Sequence, residues 1–299
     1  MTTSTPGLGA RLFVLMQHGL PQHALSALMY RLARVRWRPL KDLMITTLVR
    51  LYRIDTSEAE EPDPRAYPHF NAFFTRALRA GARPLDPDPH AVLSPVDGAI
   101  SQIGRIDGGT LIQAKGRDYR VADLLGGDPE RARAFDGGCF ATLYLAPRDY
   151  HRIHMPLAGD LTWMDHVPGR LFSVNTTTAD LVPRLFARNE RVVCGFDTMA
   201  GRMGMVLVGA IFVGGIETVW AGEITPERAG RGARATGAEP TRLARGAEMG
   251  RFNLGSTVIL LFEPGRVVWD GALTPGRPVR LGERLGAWSA PGASSDRRV

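Results

Sequence analysis

Leu25, Leu28, Met29, Leu32 and Val35 recur at the three- and four-residue spacing of a helix with one apolar face. Leu40, Leu43, Met44, Leu48 and Leu51 repeat nearly the same pattern, so amphipathic helices are expected before Ile54. The pattern then breaks. From Asp55 to Pro68 the chain is acidic and proline-rich, with Glu58, Glu60, Glu61, Pro62, Asp63 and Pro64, which reads as a linker and hinge. His69 to Leu78 returns to helical spacing and predicts a packed helix. Beyond Arg83-Pro84-Leu85 the apolar runs shorten and become β-branched between glycines. Strands are expected at Val92–Ser94, Thr110–Ala114, Cys139–Leu145, Arg191–Asp197, Met205–Thr218 and Ser256–Phe262, with a short helix at Val121–Leu125. Thr225 to Gly250, loaded with arginine, glycine and alanine, reads as an exposed loop. Together these elements predict an α+β protein: basic amphipathic N-terminal helices (residues 1–54), a linker (55–68) and a largely antiparallel β core (69–299).

Charge sharpens the reading of the first segment. The chain has 299 residues and a formal net charge of +7. Eight bases against the single acid Asp42 place the whole excess between Met1 and Ile54. Basic amphipathic helices suit an anionic membrane surface, where each cation contributes about 1 kcal/mol. Two other readings are weighed: helices packed on the core with a solvated arginine face, and nucleic-acid binding. Nucleic acid ranks last because the aromatic interleaving of single-strand platforms is thin. A hydrophobic content of 44% is enough for one large core or two modest ones. Cys139 and Cys194 each lie in an apolar run and read as buried thiols, which fits a reducing compartment. The N-terminus lacks the pattern of an export signal, and no stretch reaches the ~18 apolar residues of a membrane span. The expectation is a chain neither exported nor transmembrane.

Candidate chemistry centres on Gly255-Ser256, at the mouth of the apolar strand that follows. Glycine lets a neighbouring side chain approach its carbonyl. Once a base removes its proton, the serine hydroxyl one bond away can attack that carbonyl and shift the peptide to an ester. β-Elimination and hydrolysis would then leave a pyruvoyl group, a ketone cofactor made from the chain itself. Alone the dipeptide is weak evidence, because Gly-Ser is common in turns. Two constellations could serve it. Ser94-Pro95-Val96-Asp97-Gly98 presents a carboxylate at a strand end, and Tyr150-His151-Arg152-Ile153-His154-Met155-Pro156 follows a strand. Histidine titrates near pH 6.5 and a carboxylate behind it fixes its tautomer, so Asp97, His154 and Ser256 could act as a relay. Each of the three also has a bland reading as a turn, capping or surface group. His151 and His154 alone make only half a zinc site, and no metal is expected. Pyridoxal phosphate would need a Schiff-base lysine, and outside the basic segment only Lys115 is available.

With these motifs in order, the chain resembles the bacterial, membrane-associated phosphatidylserine decarboxylase proenzymes. The likeness is carried by the Phe-Asn-Ala-Phe-Phe-Thr-Arg run from Phe70, Ser94 to Gly98, Tyr150 to Pro156, Leu171-Phe172-Ser173-Val174-Asn175, Phe186-Ala187-Arg188-Asn189-Glu190-Arg191 and Leu254-Gly255-Ser256-Thr257. It is weaker over the first fifty residues and absent from the tail Ser289 to Val299. The resemblance implies cleavage between Gly255 and Ser256 into a β chain (1–255) and an α chain (256–299). It assigns Asp97, His154 and Ser256 to self-cleavage, and Ser256 again, as the pyruvoyl group forming a Schiff base with substrate, to decarboxylation. His151 is the candidate proton donor for that second step. Phosphatidylserine in an anionic surface is the implied partner, self-association is left open, and the implied place is peripheral, at the cytoplasmic face of the cell membrane. Leu171-Phe172 and Leu181 to Phe186 read either as an apolar lip to the pocket or as core. Two other classes remain: a serine hydrolase acting on lipid esters with Ser256 as an uncut nucleophile, and a membrane-surface adaptor without activity.

Overall fold

The computed structural model describes residues 7–114, 116–211, 215–224, 241–253 and 256–289. Lys115, Leu254, Gly255, most of the arginine-rich stretch after Thr225 and the C-terminal tail from residue 290 lie outside the described residues.

Among the described residues, the largest sheet has eight antiparallel strands. Their spatial order is Arg242–Leu243, Gly159–Val167, Arg191–Thr198, Gly201–Gly209, Ser256–Phe262, Cys139–Leu145, Gly98–Arg105 and Pro278–Val279. Ser256–Phe262 lies in the interior of this order, and all seven of its residues are buried. Its β-branched and aliphatic side chains suit a strand covered on both faces, and each large one contributes roughly 1.5–3 kcal/mol by burial. The alternation of a strand divides them. Val258, Leu260 and Phe262 enter one apolar cluster with Val96, Ile153, Met155 and Phe252. Ile259 and Leu261 enter another with Phe140, Phe172 and Phe186. The first cluster is closed by a smaller sheet ordered Gly222–Ile224, Ile216–Thr218, Glu248–Phe252 and Arg152–His154. The second is covered by short helices, including Thr176–Leu181 and Leu185–Arg188. The α+β expectation holds, with antiparallel pairing throughout both sheets.

Several expected elements change when packing is added. The stretch Met205–Thr218 supplies the end of one strand, Gly201–Gly209, and a separate strand, Ile216–Thr218, in the smaller sheet, with residues 212–214 outside the described residues. The helix expected from His69 to Leu78 is five residues long, Phe70–Phe74. Thr75 ends it with φ −95° and ψ 24°, and Leu78 pairs with Ala59 in an isolated bridge. Gly98–Arg105 and Gly159–Val167 escape the sequence pattern because their exposed and half-buried positions dilute the apolar signal. Leu171, Phe172, Val182, Leu185 and Phe186 are core residues, which decides between the two readings of those runs.

Two of the family-like stretches act as scaffolding. Arg191 is 2% exposed, and its guanidinium donates to the carbonyl oxygens of Leu124, Ala187, Asn189 and Asp123 at 2.6–2.8 Å. Burial holds its pKa down at about 10, so it stays charged at neutral pH. Asn189 closes the neighbouring turn through Phe172 and the Gly209 carbonyl. The Leu171 to Asn175 stretch receives the N-terminal helices. Helices α1 (Leu8–Gly19) and α2 (Gln22–Leu32) bury glutamines: Gln22 Oε1 accepts from the Leu171 amide, and Gln17 Oε1 from the Ser173 amide. Helix α3 (Arg38–Tyr52) buries Lys41, whose ammonium donates to Asp42 and to the Arg65 carbonyl. Through Lys41, α3 is tied to residues 55–68, and Glu58 in that stretch pairs with Arg83 of the core. These bonds pack the expected hinge against both of its neighbours.

Gly98 shows why the turn before it admits no larger residue. A Cβ there would meet the Tyr144 carbonyl oxygen at 2.3 Å, on the neighbouring strand that pairs with Ser256–Phe262. Gly98→Ala is expected to lower stability by roughly 1–3 kcal/mol. Urea denaturation followed by circular dichroism would measure this, and an unchanged midpoint would contradict it.

Candidate active site

Strand pairing brings the three predicted motifs together. Ser256 is in register with Leu145 on one side and Gly209 on the other. The chain leaves Leu145 for Tyr150 and His151, and the His151 carbonyl accepts from the Phe252 amide, four residues before Ser256. The His154 amide donates to the Pro95 carbonyl, which fixes the turn carrying Asp97 beside the histidine segment. The parity of the Ser256 strand directs the Ser256 side chain to the face that holds Ile153, Met155 and Phe252, and Thr257 to the opposite face. Ser256 and Thr257 are both fully buried and neither hydroxyl has a hydrogen-bond partner. Thr257 therefore does not orient Ser256 here.

The two histidines differ in environment. His151 is fully buried against Phe74, with ring centroids 4.0 Å apart. Its Nδ1 donates to the Asp149 carbonyl at 2.8 Å, which leaves Nε2 as an acceptor with no partner. Burial pushes its pKa down to about 3, so the ring is neutral at ordinary pH. It is equipped to take a proton; a proton it donates must first reach it. His154 is half-buried, and burial also lowers its pKa. Its Nδ1 donates to the Gly246 carbonyl at 2.8 Å, and its Nε2 meets the Tyr150 hydroxyl at 3.2 Å.

Asp97 lies close but does not hydrogen-bond to His154. Its carboxylate is taken by the Arg83 guanidinium in a two-pronged pair of 2.6–3.0 Å and by the Leu281 amide at 2.8 Å. Asp97 reaches His154 only through space. The structure thus gathers Asp97, His151, His154 and Ser256 into one region without linking them as a chain of hydrogen bonds. Gly255 lies outside the described residues. Sequence reasoning missed Arg83, whose only signal was an arginine before a proline turn, and it gave no role to the Tyr150 hydroxyl. Burial pushes Tyr150 up to about 12, so it remains a protonated donor.

A cavity of about 410 Å³ opens beside this region. Its wall includes Arg76, Asp97, Tyr144, Ala146, Asp149 and Tyr150, partly from the segment that leaves Leu145. Burial raises the pKa of Asp149. A second cavity, of about 270 Å³, is lined by Arg131, Trp163 and Phe196, away from the histidine segment.

The buried neutral His151 makes stability depend on pH with a definite sign. Its folded pKa lies below the unfolded value, so its contribution is complete above about pH 6.5 and is lost as pH falls toward about 3. Asp149, with its raised pKa, acts in the opposite sense, so the comparison is between wild type and His151→Gln. Between pH 6.5 and 5 the wild type is expected to lose roughly 1.5 kcal/mol more than the variant. Urea titrations at the two pH values test this, and parallel losses would refute it.

Comparison with known proteins accords with the geometry. The sequence model of the phosphatidylserine decarboxylase family matches residues 70–287, and a second, described as PSD, matches residues 12–53. A phosphatidylserine decarboxylase proenzyme of Ectopseudomonas mendocina (strain ymp) is 58% identical over 279 residues, covering 92% of this chain and 98% of its own. The proenzymes of that name from Pseudomonas fluorescens and Bordetella pertussis are 57% and 58% identical, covering 92% of this chain in each case and 97% and 94% of their own. With motif order, site geometry and similarity over nearly the whole length in agreement, the chain belongs to the phosphatidylserine decarboxylase family.

Proposed function

We propose that this chain is a carboxy-lyase that converts phosphatidylserine to phosphatidylethanolamine and CO2, after cutting itself between Gly255 and Ser256. The observation that carries the reading is the Ser256 hydroxyl: fully buried, unpartnered, and at the head of a central strand on the face that packs Ile153 and Met155 of the histidine segment. A buried hydroxyl without a partner is costly. It is reasonable where the group is to be consumed by chemistry. Self-cleavage needs Oγ to form a bond to the Gly255 carbonyl carbon as the C–N bond breaks, with the hydroxyl proton passing to a base. His154 takes that role when the Tyr150 hydroxyl releases its Nε2, and Asp97, held by Arg83, favours the imidazolium through space. Elimination from the resulting ester then separates the two chains, 1–255 and 256–299.

The residues around position 256 fit a pyruvoyl group formed from Ser256. The Ser256 side chain is fully buried on the face of an apolar cluster, and the His151 ring keeps a free imidazole nitrogen. When present, a pyruvoyl ketone supplies an electron sink for the pair released as CO2 leaves. The chain's own residues supply the proton handling. Phosphatidylserine brings an ammonium whose proton must be given up before the amine can react. His151 Nε2 accepts that proton and returns it to the former α carbon. Burial keeps His151 neutral, with Nε2 unprotonated, before substrate arrives.

The N-terminal segment supports work at a membrane surface. Helix α1, which the sequence pattern missed, exposes Leu8, Leu12, Leu15 and Met16 at 75%, 55%, 67% and 56%, along one stripe. Leu28, Leu43 and Leu51 of the next two helices are also more than half exposed. These helices dock through buried glutamines, a lysine and apolar residues such as Val14 and Ile45, and leave other apolar side chains outside, beside the cationic excess. This arrangement suits a peripheral segment, residues 1–54, lying on anionic lipid. No helix among the described residues is long and apolar enough to cross a membrane.

Intact mass of purified protein tests the reading. Two chains are expected, the smaller blocked at its first residue by a carbonyl reactive to hydrazine. Ser256→Ala is expected to remain a single chain of 32.6 kDa without decarboxylase activity, and Ser256→Cys or Ser256→Thr to process slowly. An uncut wild type that reacts with serine-directed phosphonates would favour the hydrolase instead. For the membrane segment, Leu12→Glu with Leu15→Glu is expected to weaken co-sedimentation with phosphatidylglycerol vesicles about ten-fold or more. Equal binding by the double variant would remove the assignment.

A further inference from the structure

Arg76 is 4% exposed, and its Nε and Nη1 have no hydrogen-bond partner. The one bond of Nη2 is long, 3.4 Å to the Arg148 carbonyl oxygen. The guanidinium lies 5.2 Å from the centre of the Phe73 ring and lines the cavity beside the histidine segment. Arg83, on the wall of the same cavity, shows a satisfied guanidinium in this setting: Nε donates to both Asp97 oxygens, Nη1 to the Ala82 carbonyl and Nη2 to Glu58 and Asp97. Asp97 and Asp149 act on Arg76 only through space, and burial pushes its pKa down. A guanidinium withdrawn from water with two nitrogens unanswered is out of balance unless an anion joins it. Arginine is suited to phosphate and carboxylate oxygens alike.

We propose that Arg76 holds the phosphodiester of the lipid substrate, anchoring the headgroup in the cavity so that the serine amine and carboxylate reach position 256. This rests on the decarboxylase reading above. Phosphate is favoured over the substrate carboxylate by the chemistry of the step. A carboxylate loses its charge as it becomes CO2, so a cation bound to it stabilises the ground state more than the transition state and slows the reaction. The phosphodiester keeps its charge throughout, so Arg76 can grip it at no kinetic cost. The wall of the cavity runs from Arg76 to Ala146, Asp149 and Tyr150, on the segment between the register partner of Ser256 and His151. An anchor at Arg76 therefore lies beside the segment that joins the register partner of Ser256 to His151.

The test is steady-state decarboxylation of detergent-dispersed phosphatidylserine by the self-cleaved wild type, Arg76→Gln and Arg76→Lys, each checked for cleavage by intact mass. Loss of a charged hydrogen-bonding partner is expected to raise KM about 10- to 100-fold in Arg76→Gln with a smaller change in kcat, and Arg76→Lys is expected to recover part of it. Glycerophosphoethanolamine, which has the phosphodiester and amine but no carboxylate, should inhibit the wild type and lose potency in Arg76→Gln by a similar factor. Free serine should inhibit neither. An unchanged KM, or equal inhibition of wild type and Arg76→Gln by glycerophosphoethanolamine, overturns the assignment. So does inhibition by inorganic phosphate that depends on Arg76 while KM does not, which would make this a free-anion site. If neither variant cleaves itself, the wild type decides: inhibition by serine and not by glycerophosphoethanolamine overturns the proposal, and the reverse supports it. A wild type that releases no CO2 sinks the decarboxylase reading along with it, whereas an active wild type with an indifferent Arg76 sinks this proposal alone.

Discussion

The rest of the molecule depends on one pairing: Ser256–Phe262 zipped antiparallel between Cys139–Leu145 and Gly201–Gly209, with every residue of the three-strand register matched. A strand buried on both faces cannot slip by one residue without exchanging its two apolar sets, so its register is strongly fixed. Ser256 is its first residue, and its position is therefore set by seven consecutive matched pairs. The same pairing sets the height at which the chain leaves Leu145, and hence where Tyr150 and His151 come to rest. A reactive hydroxyl is thus carried by a core strand paired on both sides.

Around that strand the protein handles buried charge in three ways. Arg191 is answered by backbone carbonyls alone and braces the far side of the sheet. Arg83 is answered by carboxylates and holds Asp97 in place near His154. Arg76 is answered by neither on two of its nitrogens. The contrast is chemical. Arg191 and Arg83 have their hydrogen-bonding capacity filled within the chain, whereas Arg76, the Ser256 hydroxyl and His151 Nε2 keep capacity unfilled in the interior. Buried polar groups left open in this way are unfavourable in isolation; Thr142, Thr257 and Trp269 are left open as well, so it is reactivity or charge that sets Ser256, His151 and Arg76 apart.

The N-terminal helices invert the usual amphipathic logic. Gln17, Gln22, Ser26 and Lys41 face inward, while several leucines and a methionine of the same helices face out. Docking by specific hydrogen bonds and a few apolar residues, Val14 and Ile45 among them, leaves the rest of the greasy stripe available to another apolar phase. The same segment reaches the interior through a polar relay. Arg34 and Tyr30 bind Glu223, which accepts from Asn253, and Asn253 in turn accepts from Asn71 of the Phe-Asn-Ala-Phe-Phe run. Asn253 lies three residues before Ser256 in sequence, so the relay that begins at the helices ends close along the chain to the strand that carries the chemistry.

Local chemistry was legible wherever the signal was local. Short apolar, β-branched runs marked Ser256–Phe262 and Cys139–Leu145, helical spacing marked α2 and α3, and the Gly-Ser pair, the two histidines and Asp97 stood out by residue type. Helix α1 was missed because its apolar stripe, facing out, sits among glycines and alanine rather than in a clean repeat. Gly159–Val167 was missed because its half-buried pattern alternates weakly. Nothing in the linear pattern could pair Asp97 with Arg83 rather than His154, since carboxylate partners are chosen by distance across the fold. The free nitrogens of Arg76 and His151 were equally hidden, because burial and hydrogen-bond vacancy exist only once neighbours are packed. The chain's order of residue types determined, by itself, which reactive groups this protein owns and the antiparallel core that carries them. Only the tertiary structure decided which of those groups are already spoken for and which are left open, because that depends on contacts between segments far apart in the chain.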